Sequence, residues 1–127
     1  MDRIRVITHQ GHRILLVDCS SCQADEVSKL ADLVPNAVAQ EPSGDVLLLA
    51  DFTNTQLSRE AMERIKIAAA FNRRHLKRSA WVLNGNLPKP AHNSVERFST
   101  REIPVFATRE EALTYLVATE VKQANGS

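Results

Sequence analysis

Glycine is scarce in this chain of 127 residues: there are four, Gly11, Gly44, Gly85 and Gly126. So sparse a set cannot build the Gly-rich loop whose backbone amides cradle nucleotide phosphates. A Gly-x-Ser-x-Gly nucleophile elbow is missing too. No apolar run approaches the ~20 residues that cross a bilayer. The opening Met1-Asp2-Arg3-Ile4 lacks the apolar stretch of a secretory signal. No membrane span and a cytoplasmic location are therefore expected. Neither sign of charge dominates, since 16 basic and 15 acidic residues leave +1. That balance provides no global field to draw in nucleic acid or an acidic membrane. Cysteine is limited to Cys19 and Cys22. In a reducing compartment a pair is expected as thiols rather than a structural bridge. No second C-x-x-C completes a tetrahedral zinc site, so neither a metal nor a cofactor is expected.

What the chain has in quantity is patterned apolar sequence, 43% of residues. Arg3 to His9 alternates polar and apolar, which suits a strand with one exposed face. Gln10-Gly11-His12 reads as a tight turn, with Gly11 free to take positive φ. Ile14-Leu15-Leu16-Val17 is continuously apolar, the pattern of a strand covered on both faces. These two strands form an expected antiparallel hairpin. Val27, Leu30, Ala31, Val34 and Val38 then fall at helical spacing, and Pro35 is expected to end or kink that helix near Val34. After the turn at Pro42 to Asp45, Val46 to Ala50 makes a second doubly buried strand closing on Asp51. Leu57, Ala61, Ile65 and Ala68 stripe the next helix, with Ser58 as its N-cap. Ser79 to Leu83 reads as a strand, followed by a helix with Leu87, Ala91, Val95 and Phe98 on one face. Pro104 to Ala107 is a short last strand. Thr108-Arg109-Glu110-Glu111 is a capping box ahead of Ala112, Leu113, Leu116 and Val117.

The expected order is β-β-α-β-α-β-α-β-α. Strands alternating with helices require parallel pairing through right-handed crossovers. The expectation is one α/β domain over 1–120, with a mixed, mostly parallel sheet, and a frayed tail over 121–127.

Several residues could carry chemistry. Cys19-Ser20-Ser21-Cys22 is a C-x-x-C at a strand end, where a helix N-terminus lowers a thiol pKa in redox proteins. The plain alternative is one cysteine packed as a small apolar residue and the other near the helix cap. Arg73 to Arg78 is a basic cluster that could hold phosphates. A helix C-terminus already favours cations, however, and the few aromatics read as buried rather than interleaved with it. Nucleic acid is therefore not an expected partner. Asp18 and Asp51 end neighbouring buried strands, and ligands of open α/β sheets sit beyond such ends. Each could equally organise the loop that follows it.

The hairpin Gly11 to Asp18, the segment Leu48-Leu49-Ala50-Asp51-Phe52-Thr53 through Ile65, the stretch Lys77 to Val82 and the ending Phe106 to Ala112 together resemble the STAS/SpoIIAA-like domains. These are small bacterial signalling proteins that share a fold with anti-sigma-factor antagonists and CRAL-TRIO domains. The resemblance spans about Arg3 to Val117. It implies a non-enzymatic domain that binds a protein partner, with Asp51, Thr53, Thr55 and Ser58 at the contact surface. A homodimer is compatible with it. The antagonists carry Asp-Ser-Ser-Gly after the central strand, with a serine that a kinase phosphorylates. The corresponding loop here runs Asp51-Phe52-Thr53-Asn54-Thr55-Gln56-Leu57-Ser58, and Ser58 is the nearest counterpart. A phosphate on Ser58 would meet the free amides of a helix start, while capping alone also accounts for a serine there. The likeness to CRAL-TRIO domains implies a second class, a small-molecule or lipid binder. A thiol redox protein through Cys19 and Cys22 is a third.

Overall fold

The computed structural model describes residues 3–42, 44–71, 74–83, 95–97 and 103–118. Strand β1 (Ile4–His9) folds back on β2 (His12–Asp18) as an antiparallel hairpin pairing Ile4 with Val17 and His9 with His12. The two turn residues, Gln10 and Gly11, have φ of 50° and 81°. Two positive values match the twist of the flanking strands, and Gly11 takes its own without a side-chain penalty.

Ile14 to Val17 are buried on both faces of the sheet, as the unbroken apolar run requires. Leu15 and Val17 join a core cluster with Val27, Ala31 and Ile65, whereas Ile14 and Leu16 join a second with Ala112 and Leu116. Helix α1 (Ala24–Ala39) starts with a capping box, in which the Gln23 amide donates to Glu26 at 2.9 Å. It continues past Pro35 to Ala39, so the proline, expected to end or kink the helix near Val34, does not end it there. Val27 and Ala31 before the proline and Val38 after it are all buried. Burial of a residue like Val38, worth ~1.5–3 kcal/mol, offsets much of the ~3 kcal/mol cost of an interior proline.

Strand β3 (Val46–Asp51) is buried at every position. Helix α2 (Arg59–Phe71) follows, and the Ser58 hydroxyl accepts from the Ala61 amide at 3.0 Å, the expected cap. Strand β4 (Leu76–Val82) begins three residues earlier than the apolar pattern indicated. Leu76 is buried opposite Val46, and an irregularity between Val46 and Leu47 absorbs the shift in register. Strand β5 (Val105–Phe106) precedes helix α3 (Arg109–Leu116), whose cap Thr108 accepts from Glu111 at 3.2 Å. Residues 95–97 are helical and Val95 is buried. The rest of that expected helix, including Leu87, Ala91 and Phe98, and the tail 121–127 lie outside the described residues.

The sheet order is β1-β2-β3-β4-β5, with only the β1–β2 pair antiparallel. This is the expected α/β class with a mixed, mostly parallel sheet in a single domain. Right-handed crossovers that always step the same way place their helices on one face. Accordingly α1 and α2 pack together over one face, while α3 packs over the other against β3, β4 and β5. Among the described residues no helix is long and apolar enough to cross a membrane.

Candidate functional site at the carboxyl end of the sheet

Strands β2 and β3 end in register on Asp18 and Asp51, side by side. Each carboxylate organises the loop after it. Asp18 Oδ1 accepts from the Ser20 amide at 3.0 Å and the Ser20 hydroxyl at 2.5 Å. Asp51 Oδ1 accepts from the Thr53 amide at 2.9 Å and the Thr53 hydroxyl at 2.6 Å. The same two-residue device is thus used twice.

Arg109, the first residue of α3, then joins the two. Its Nε donates to Asp51 Oδ2 at 2.5 Å, and its Nη2 lies 3.3 Å from Asp18 Oδ1. Arg3 completes the cluster by donating to the carbonyls of Asp18 and Ser20 at 3.1 and 3.0 Å. Burial alone would push the Asp18 carboxyl up, but the Ser20 hydroxyl and amide, with Arg109 and Arg3 behind them, hold it below its ordinary value. Asp51 is buried, its side chain 5% exposed. Its oxygens accept from the Thr53 amide, the Thr53 hydroxyl and Arg109 Nε.

The two loops are also tied to each other. The Ser21 amide donates to Thr53 O at 2.9 Å, and the Gln56 amide to Cys22 O at 3.0 Å. The Thr55 hydroxyl donates to Cys19 O at 2.7 Å. Of the candidate contact residues, Asp51, Thr53 and Thr55 are therefore engaged internally. Ser58 is exposed although its hydroxyl caps α2, and Asn54 and Gln56 are exposed beside it. Asn54 holds a φ of 52°, which its short polar side chain tolerates better than most.

Cys19 and Cys22 are free thiols, and both are buried, at 2% and 1% exposure. Cys22 does lie at the helix cap, next to the N-cap Gln23, and both thiols also belong to the core cluster under α1. Burial, with Cys22 next to it, pushes the Cys19 thiol up to about 12. Burial likewise raises Cys22. A redox thiol needs a depressed pKa and access, and this pair has neither. Among the described residues, no three His, Cys, Asp or Glu side chains converge as a metal site.

The void between the sheet and helices α1 and α2 measures about 60 Å³ and is walled by residues such as Val27, Val38, Phe52 and Trp81. That is room for a few waters, against the ~300–1,000 Å³ of typical ligand pockets. Phe52 and Trp81 pack edge to face at 5.1 Å across it.

The basic cluster divides. Arg78 lies in β4 and donates to the carbonyls of Tyr115 at 3.2 Å, Leu116 and Ala118. It closes the C-terminus of α3 rather than facing a phosphate. Arg73 lies outside the described residues.

Sequence reasoning marked Asp18 and Asp51 but missed Arg109 and Arg3. One local clue was present: a cation in the first turn of a helix opposes the helix dipole, so an anionic partner elsewhere is needed to hold it. No family model, curated protein or solved structure matches the chain.

Proposed function

We propose that the chain is a non-enzymatic STAS/SpoIIAA-like domain that binds a protein partner through residues 51–58 and the start of α2. The observation that carries this reading is the cross-bonding of the two loops, through Ser21 to Thr53, Gln56 to Cys22 and Thr55 to Cys19. A loop pinned from beneath presents Asn54, Gln56 and Ser58 on a fixed backbone, which lowers the ordering cost of binding. Its polar hydroxyls and carboxylates are spent on the scaffold, which favours recognition over chemistry. Ser58 holds the place nearest to the phosphorylated serine of the antagonists it resembles. Negative charge added there meets the positive end of α2 and changes the contact surface without removing a buried partner.

The test is affinity capture with wild type, Ser58→Glu, Ser58→Ala and the double variant Asn54→Ala/Gln56→Ala. A partner kept by Ser58→Ala, lost by Ser58→Glu and weakened tenfold or more by the double variant is the expected result. A partner held equally by all four places the interface elsewhere and overturns the assignment of this loop.

A further inference from the structure

Strand β1 ends the sheet, and among the described residues nothing pairs with its outer edge. A two-residue hairpin makes its flanking pair hydrogen-bonded, so His9, Ile7 and Arg5 bond to β2. The 2.7 Å bond from the Asp18 amide to Arg3 O continues the same series. The amides and carbonyls of Ile4, Val6 and Thr8 therefore point outward, away from the sheet.

Beside that edge lies a groove of about 540 Å³ between β1 and α1. Its apolar walls include Ile4, Leu30, Leu33 and Ala37. Leu33 is 58% exposed, more than an isolated helix position beside a core needs. Val6, 36% exposed, shares the sheet face of Ile4, since strand side chains alternate. Lys29 lines the groove one helical turn from Leu33 and has no ion-pair partner among the described residues, whereas the other charges in its wall are engaged, Glu26 by the Gln23 amide and Arg3 by Asp18.

We propose that this edge and groove bind an extended segment of a partner protein, which adds to the sheet as a sixth strand outside β1. The outward backbone groups of Ile4, Val6 and Thr8 dictate the extended conformation, because only a strand answers a row of alternate donors and acceptors. The apolar walls select a bulky apolar residue against Leu33. The unpaired ammonium of Lys29 selects an acidic residue. Lys29 and Leu33 are ~6 Å apart along the helix axis, close to the ~6.7 Å two-residue repeat of a strand. The acidic and apolar residues of the partner therefore stand two positions apart on one face of the added strand. This surface is separate from the loop at residues 51–58, so either assignment can fail without the other.

The probe is a phage-displayed library of random octapeptides, with enriched sequences synthesised and measured by fluorescence anisotropy. The expected consensus is an acidic residue two positions from a bulky apolar one. Lys29→Glu switches the preference to a basic residue, and Leu33→Glu weakens binding tenfold or more. Val6→Pro removes an outward amide without touching the β1–β2 bonds and abolishes binding. Circular dichroism confirms that this variant folds, and Leu33→Glu, at an exposed position, carries the test if it does not. The amide signals that shift on peptide addition in the nuclear magnetic resonance spectrum fall on Ile4, Val6 and Thr8. An unselective library, or peptides indifferent to Leu33→Glu and Lys29→Glu, overturns the proposal. So does a wild-type dimer in sedimentation that Val6→Pro or Leu33→Glu dissociates, because the edge then belongs to a second copy of this chain.

Discussion

Replacing Arg109 by methionine tests how much the carboxyl end of the sheet depends on one side chain. The substitution keeps the apolar stem and removes the charge that spans Asp18 and Asp51. Stripping the partner from a fully buried carboxylate costs ~3–5 kcal/mol. Here the cost is lower for two reasons. The Arg109 side chain is 36% exposed, so water already screens part of the interaction. Asp51 also retains the Thr53 amide and hydroxyl, and Asp18 retains those of Ser20. About 2 kcal/mol remains, or roughly 8 °C in Tm for a domain of this size. Urea denaturation at pH 7 measures it, and a double-mutant cycle with Asp51→Asn isolates a coupling of ~1–2 kcal/mol. The pH dependence has a definite sign. Asp18 titrates below its ordinary value in the folded state. Its contribution is therefore complete above the unfolded carboxylate range near ~3.9 and is lost as pH falls through the lower folded value. Arg109→Met removes one cause of that depression, so wild type and variant converge in acid. A variant within ~0.5 kcal/mol of wild type at pH 7, or a coupling near zero, refutes the account.

Three further outcomes follow from the packing. Both thiols stay unreactive toward an aromatic disulfide reagent in the folded protein at pH 8 and react once urea unfolds it; fast labelling of native protein contradicts their burial. Pro35→Ala restores an interior helix hydrogen bond in α1 and raises stability by ~1–3 kcal/mol, read from urea melts, and a loss shows the proline to be preferred where it stands. Arg78→Met frees the last carbonyls of α3 and costs ~1–2 kcal/mol, with faster amide exchange in that helix as the local readout.

The strand interiors were legible because Ile14 to Val17 and Val46 to Ala50 admit few readings: unbroken apolar runs bounded by Asp and turn residues. Ser58 and Thr108 could be read as caps because capping is a local act. Pro35 misled for the complementary reason. The local rule against interior proline was overridden by Val38, whose burial depends on a sheet far along the chain. The early start of β4 had the same origin, since Leu76 becomes a strand residue only through Val46. Phe71 reads as core by residue type yet is 74% exposed at the end of α2. The bridge from Arg109 to both aspartates was hidden because its members come from β2, β3 and α3. Periodicity locates each element but does not say which loop ends converge.

The sheet is built in the order in which the ribosome delivers it. Each new strand settles beside the one just made, so α1 and α2 can close over their face while the rest of the chain is still being synthesised. Among the described residues the opposite face has no such provision. Ile14, Leu16, Leu47, Leu49, Ala80 and Val82 wait for Ala112, Leu116 and Val117, which lie near the end of the chain. A nascent chain halted before residue 109 therefore lacks the α3 residues that cover this face, and its apolar side chains are the ones most exposed to chaperones and to aggregation.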